Sequence, residues 1–323
     1  MKRKLPLGEY LPEVSDLVYG CMGLGGNWDD NLYDASHVKQ ANTVIDSALT
    51  AGINLFDHAD IYRGSKAETV FGEALKQRGD RGSIFIQSKC GIRFDDDLGP
   101  KRYDLSAAWI TSSVEQSLQR LSTDYLDILL LHRPDPLMQV SEVADAFNAL
   151  KQAGKVRYLG VSNMHWPQVQ QLQRAINAPI VVNQMHMSLH NHAWVDETLY
   201  AGESQGSCIH FSPGTVEYCN QHKVQLQSWG SLAQGLFSGA SLEGESQATQ
   251  ATAKLVEQLS NEYQVSPEAI VLAWLMRHPA NIQPVIGTTS PQRILACSQA
   301  SKVQLSREHW YALFVSAKGL ELP

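Results

Sequence analysis

Eight short apolar runs, each followed by a stretch of helical periodicity, constrain this chain more than any other feature. They read LVYGC (17–21), INLFDHA (53–59), IFIQSK (84–89), DILLLH (127–132), YLGVSN (158–163), IVVNQM (180–185), VQLQSWG (224–230) and IQPVIGT (282–288). They are apolar rather than cleanly alternating, as strands buried on both faces of a parallel sheet are. The stretches between them carry helix signals. Ser65-Lys66-Ala67-Glu68 has the pattern of a capping box ahead of Val70, Phe71, Ala74 and Leu75. Ser106 precedes the stripe Ile110, Val114, Leu118 and Leu121, and a helix through Phe147 and Leu150 stops at Gly154. Ser266-Pro267 and Ser290-Pro291 each set a capping serine before a proline at the first helical position.

Strict β–α alternation implies a parallel sheet with right-handed crossovers. Eight such units fit a single (β/α)8 TIM barrel domain over 1–323, a parallel eight-stranded barrel with its active site at the C-terminal mouth. An open doubly wound sheet is the alternative, and it needs an early nucleotide fingerprint. GCMGLGG (20–26) is glycine-rich but does not read G-x-G-x-x-G before a helix, and it runs on into the polar NWDDNLYD. The longest stretch without strong periodicity, 186–214, follows the sixth run and is expected to overhang the mouth as a loop.

Composition excludes several function classes. Lys plus Arg is 26 against 33 for Asp plus Glu, a formal charge of −7, and there is no basic run to suit a nucleic acid. No stretch approaches the ~20 apolar residues of a membrane span. The start MKRKLPLGEYLP breaks at Pro6 and Gly8 without an apolar core, so it is not read as a signal peptide. The five cysteines are scattered, with no C-x-x-C pair, which argues for free thiols and a cytoplasmic home.

The polar residues at the ends of successive runs carry the chemistry. The second run reaches Asp57 with Tyr62 just beyond, the third ends at Lys89, and the fourth ends at His132. A phenol titrates near 10, and a nearby ammonium favours the phenolate. Lowering Tyr62 by 2–3 units takes about 3–4 kcal/mol, within reach of one close, partly buried ammonium. Asp57 keeps Lys89 charged, and His132 hydrogen-bonds a substrate carbonyl. Such a site protonates a developing alkoxide while another agent delivers hydride. Asp60 and Arg63 read as loop or rim groups, and His58 as a neutral, hydrogen-bonded histidine. His186, His190 and His192 are close in sequence, but no carboxylate is spaced to complete a metal site and VYGCMG lacks the H-x-H of metal-hydrolase barrels, so no metal is expected.

The chain resembles the aldo-keto reductases over nearly its whole length. The resemblance is carried by GINLFDHADIYRGSKAETVFGEAL (52–75), SKCG (88–91), LDILLLHRPDP (126–136), GKVRYLGVSN (154–163), NQMHMS (183–188), SLAQGLFSG (231–239) and PVIGTTSPQRI (284–294), in the family's order. It looks like a bacterial branch whose first motif reads DHADIY. The resemblance implies the barrel, a nicotinamide cofactor, and reduction of aldehydes or ketones, with Asp57, Tyr62, Lys89 and His132 as the catalytic set. It further implies that Ser162, Asn163 and Gln184 meet the nicotinamide carboxamide and that Trp229 stacks on its ring. Thr288, Ser290 and Arg293, at a helix start, would take the 2′-phosphate of NADPH. Gly287 stands where many members have lysine or arginine, and Ala296-Cys297 where many have an acidic–Asn pair, so NADH stays open beside NADPH. Cys21 and Met22 fall near the nicotinamide, and Trp28, Arg93 and Trp166, on mouth loops, are candidate pocket walls. The implied partner is a small carbonyl substrate, with no nucleic acid and no membrane, on a monomer or weak homo-oligomer. A nicotinamide-binding sensor or regulatory subunit with slow turnover is the competing reading.

Overall fold

The structure is a computed structural model that describes residues 3–29, 31–200 and 202–323. In chain order the strands are β1 (Val18–Gly20), β2 (Leu55–Asp57), β3 (Phe85–Cys90), β4 (Ile92–Arg93), β5 (Arg102–Tyr103), β6 (Leu126–Leu131), β7 (Val156–Ser162), β8 (Ile180–His186), β9 (Gln225–Trp229) and β10 (Gln283–Ile286). Eight of them form a closed parallel barrel in the order β1, β2, β3, β6, β7, β8, β9, β10, with β10 pairing back to β1. All eight contain or overlap the apolar runs read from the sequence. β4 and β5 form a separate antiparallel hairpin in the connection after β3.

The N-terminal end of the barrel is plugged by the start of the described chain. Leu5, Leu7, Leu11 and Val14 pack on Val18, Leu55, Ile128, Leu130, Val182 and Val285. Arg3 donates to the carbonyl of Ile282, and Ser15 and Asn54 exchange hydrogen bonds, so the plug is tied to the bases of β10 and β2. Helices cover the outside. The helix Pro267–Met276 is buried all round, because Gln247–Tyr263 packs on it and its Trp274 stacks on Trp310 of Arg307–Lys318; its sequence is correspondingly apolar on every face. Among the described residues no helix is long and apolar enough to cross a membrane.

Ser106, Ser266 and Ser290 each accept a hydrogen bond from the backbone N–H three residues on, as their patterns predict. The Ser65 capping box does not form. Ser65 lies in the left-handed region at φ 69°, its hydroxyl turns back to the carbonyl of Asp60, and Glu68 is spent elsewhere. The segment 186–214 is not an open loop either. It holds the helix Ala193–Leu199, anchored by the buried Trp194 against Trp274 and by Lys318 donating to Asp196 at 2.6 Å.

Candidate active site

Strand parity builds the centre of the mouth. Side chains two apart on a strand share a face, so Gln87 and Lys89 of β3 both point into the barrel, and Gln87 stands in register with Asp57 of β2. Beyond Asp57 the chain keeps bonding along β3, His58 N–H to the carbonyl of Gln87 and Asp60 N–H to that of Lys89. It then turns, Tyr62 N–H donating to the carbonyl of Ala59 at 3.1 Å, which brings the phenol back over the strand ends.

Lys89 is 1% exposed and uses all three of its donors: 2.7 Å to Asp57 Oδ2, 2.8 Å to the carbonyl of His58 and 2.9 Å to Tyr62 Oη. The His132 ring stands edge-on to Tyr62 with centroids 6.0 Å apart. Burial opposes the Lys89 ammonium, but Asp57 and Tyr62 outweigh it and its pKa lies above the ordinary value. Tyr62 differs from the expectation. Burial pushes the phenol up, and Lys89, pulling it down, does not fully offset this. The tyrosine therefore holds its proton at neutral pH and releases it only to a strong base such as an alkoxide. His132 is held well below the usual imidazole range, first by burial and then by Lys89 and Arg133, so the ring is neutral. Its Nδ1 has no partner among the described residues, so none of them fixes its tautomer through that atom.

Two neighbours in the same segment also depart from expectation. His58 is neutral, its pKa lowered to about 3 chiefly by burial, but its ring nitrogens have no partner among the described residues and the ring packs edge-on against Phe71 at 4.5 Å. Its working group is the backbone carbonyl that Lys89 holds. Asp60 is buried rather than on the rim, and burial and then Glu68 raise its carboxyl to about 7. Arg63 does lie on the rim, donating to the carbonyl of Met22 and sitting over Trp28 at 5.6 Å.

A second group lies against the first. Ser162 Oγ donates to the carbonyl of Gln184, and Asn163 Nδ2 donates to Ser162 Oγ at 2.7 Å and to the carbonyl of His132 at 3.3 Å. Trp229 Nε1 donates to Asn163 Oδ1 at 2.9 Å. Gln184 Nε2 donates to Asp57 Oδ1 at 3.2 Å, linking this group to the Asp57 carboxylate. His186 stacks on Trp229 with centroids 4.0 Å apart, and the Arg133 guanidinium lies 5.9 Å from the same ring.

The third group sits after β10. Ser290 caps the helix Pro291–Ser298, and Thr288 Oγ1 accepts from Ser290 N–H. Arg293 extends toward the loop after β9, giving Nη2 to Ser238 and Nε to Glu268 at 3.1 Å, while Nη1 makes no hydrogen bond among the described residues. Of the proposed pocket walls, Trp28 is half exposed and meets Phe94 edge-on. Arg93 is held by Asp96 and Asp104 and lies 4.0 Å from the Trp109 ring. Trp166 stacks on Tyr218 and donates its backbone N–H to Thr215 Oγ1, and the structure does not bring it to Tyr62 or His132.

The barrel, the buried aspartate–lysine–tyrosine cluster with its histidine, and the capped helix start after the last strand together define a reductase-like site. The profile of the Aldo/keto reductase family matches residues 16–313, and this chain belongs to that family. It is 36% identical over 316 residues to 6-dehydroglucose reductase of Agrobacterium fabrum, covering 96% of each protein. It is 34% identical over 330 residues to oxidoreductase YdhF of Escherichia coli, covering 100% of each. Among solved structures, the holo form of aldo-keto reductase AKR11C1 from Bacillus halodurans superposes with a TM-score of 0.75 at 28% identity, over 97% of this chain and 96% of that one. An aldo-keto reductase from Klebsiella pneumoniae in complex with NADPH does so with the same TM-score at 23% identity, over 97% and 94%.

Sequence reasoning missed the buried glutamines Gln87, Gln227 and Gln283 and the partners of Arg293. The glutamines leave a signal: each is a polar residue inside one of the eight strand-forming runs. Glu268 leaves none, since it stands in another helix with no pattern linking it to Arg293.

Proposed function

We propose that this chain is an NADPH-dependent oxidoreductase that reduces aldehyde or ketone carbonyls to alcohols, with Tyr62 as the proton donor. The observation that carries the reading is the Lys89 ammonium, fully enclosed and bonded at once to Asp57, the His58 carbonyl and the Tyr62 hydroxyl. When bound, NADPH supplies the hydride. Residues fit for it are present. Gln184 Nε2 is committed to Asp57 and Gln227 while its Oε1 accepts no hydrogen bond among the described residues, which suits the N–H of a carboxamide. Asn163 and Ser162 flank it, and Trp229 offers an aromatic face. Thr288, Ser290 and the free Nη1 of Arg293 suit a phosphate at a helix start. NADH fits the carboxamide end equally, and Arg293 favours the phosphorylated form.

In the reaction the neutral His132 donates an N–H to the substrate oxygen and fixes the carbonyl beside Tyr62. As negative charge develops on that oxygen, Tyr62 gives up its proton, and the adjacent Lys89 ammonium stabilises the phenolate left behind. Asp57 holds the ammonium in place. Trp28 walls the substrate side, with Arg93 shaping the rim through its ion pairs. A single barrel domain in the cytoplasm completes the reading, supported by five cysteines that are all free.

Tyr62→Phe tests it. Aldehyde reduction with NADPH is expected to lose about 10²–10⁴-fold in kcat, while fluorescence titration shows NADPH still binding. Wild-type turnover by Tyr62→Phe would remove Tyr62 as the donor.

A further inference from the structure

Below the active site the barrel lumen holds a chain of buried amides that runs from the N-terminal plug to the catalytic carboxylate. Gln87 Nε2 donates to Asp57 Oδ1 at 2.6 Å and to Gln227 Oε1 at 2.8 Å. Gln227 Nε2 returns a bond to Gln87 Oε1 at 3.1 Å and gives a second to Gln283 Oε1 at 3.0 Å. Gln283 Nε2 donates to the backbone carbonyl of Ser15 at 2.7 Å. Gln87, Gln227 and Gln283 are all wholly buried.

The direction of every amide follows from the two ends. A backbone carbonyl and a carboxylate only accept hydrogen bonds. Ser15 therefore takes the amide nitrogen of Gln283, which turns its oxygen to Gln227. Gln227 must then present nitrogen to Gln283 and oxygen to Gln87, whose nitrogen is left for Asp57. Reversing any one amide sets nitrogen against nitrogen among wholly buried side chains, where an unmade hydrogen bond is costly. The result is a carboxylate with one oxygen on Lys89 and the other on Gln87 and Gln184. Asp57 cannot rotate without breaking bonds on both oxygens.

We propose that Gln87 is a positioning residue for proton transfer: oriented by Gln227, Gln283 and the Ser15 carbonyl, it locks the Asp57 carboxylate so that Lys89 stays against Tyr62. This rests on the assignment of Tyr62, Lys89 and Asp57 above. The other titratable groups facing Asp57 are Tyr62 on the following turn and the neutral thiol of Cys21 at the end of β1.

Gln87→Met keeps the length of the side chain and removes its donors. With NADPH and a reactive aldehyde, kcat is expected to fall about tenfold or more. KM and the affinity for NADPH should stay within about twofold, while the kcat–pH profile, acid limb included, should differ from that of the wild type, which a purely structural loss would leave in place. Gln283→Met touches only the remote end, so a smaller change of the same kind is expected. Tyr62→Phe is measured alongside. If it loses turnover while Gln87→Met keeps the wild-type kcat and acid limb, changing only in thermal stability, the proposal falls and the site assignment stands. If Tyr62→Phe turns over normally, the assignment falls and the proposal with it. Should Gln87→Met fail to fold, a folded Gln283→Met with an unaltered kcat–pH profile overturns the proposal.

Discussion

Two buried ionic clusters lie back to back on β3, and they are built differently. Inside the barrel, Asp57 faces Lys89, one carboxylate for one ammonium, with partners on both carboxylate oxygens. Outside, Ser88 donates to Glu68 Oε1 at 2.6 Å and Arg120 Nε to Glu68 Oε2 at 2.8 Å. Asp60 shares that space, its Oδ1 without a partner, so two carboxylates face one guanidinium. The same segment, 57–68, feeds both, and strand parity alone sends Lys89 inward and Ser88 outward. Gly72 lets the outer cluster close, since a Cβ there would stand 2.0 Å from the carbonyl of Arg120. The balanced cluster keeps its charges through neutrality, whereas the unbalanced one behind it holds a group that titrates there.

The sharpest way to break this comparison is to unbalance the inner cluster. Lys89→Met leaves Asp57 buried without its cation, and removing one partner of a buried pair costs about 3–5 kcal/mol. Chemical denaturation should register that loss, and kcat should fall about 10²–10⁴-fold with it. A variant that lost activity but kept full stability would mean that the amides alone can hold the carboxylate. The outer counterpart is Arg120→Met. Glu68, wholly buried, keeps only Ser88, and about 3 kcal/mol of stability should go. Because nothing in that cluster touches Tyr62 or His132, kcat of the folded variant should change by no more than about threefold, in keeping with separated sites. An equal loss of kcat in both variants would show that the two clusters act as one.

The barrel was legible because its signal is periodic. Each apolar run is a strand buried on both faces, and no tertiary accident can hide eight of them. Asp57, Tyr62, Lys89 and His132 were legible because strand ends converge on one mouth, and the structure brings all four together. Charge balance was not legible. Reading Asp60 as a loop or rim group missed its burial, because the backbone bonds from His58 and Asp60 to β3 carry the segment onward under cover. The direction of the Tyr62 shift was misjudged for a related reason. The sequence names the ammonium that lowers a phenol's pKa but not the depth of burial that raises it more. The Ser65 box failed because the tight turn after Tyr62, not the serine, sets where the helix begins.

The smallest effect tests the imbalance directly through pH. Asp60 is held at about 7, against about 4 for an exposed aspartate. Between those values the folded chain keeps a proton that the unfolded chain has lost, so this group lowers stability as pH rises from about 4 to about 7 and adds nothing further above that. His58, held at about 3, works in the opposite sense, adding stability as pH rises from about 3 toward 6.5. Asp60→Asn removes the first titration and leaves the second, so the difference between variant and wild type isolates Asp60. That difference should favour the variant more at pH 8 than at pH 5, by about 2–3 kcal/mol at 1.36 kcal/mol per unit. Urea unfolding at the two pH values reads it. A difference that did not change with pH would mean that Asp60 is ionised throughout, with Arg120 and Ser113 compensating its burial, and the outer cluster would then be as balanced as the inner one.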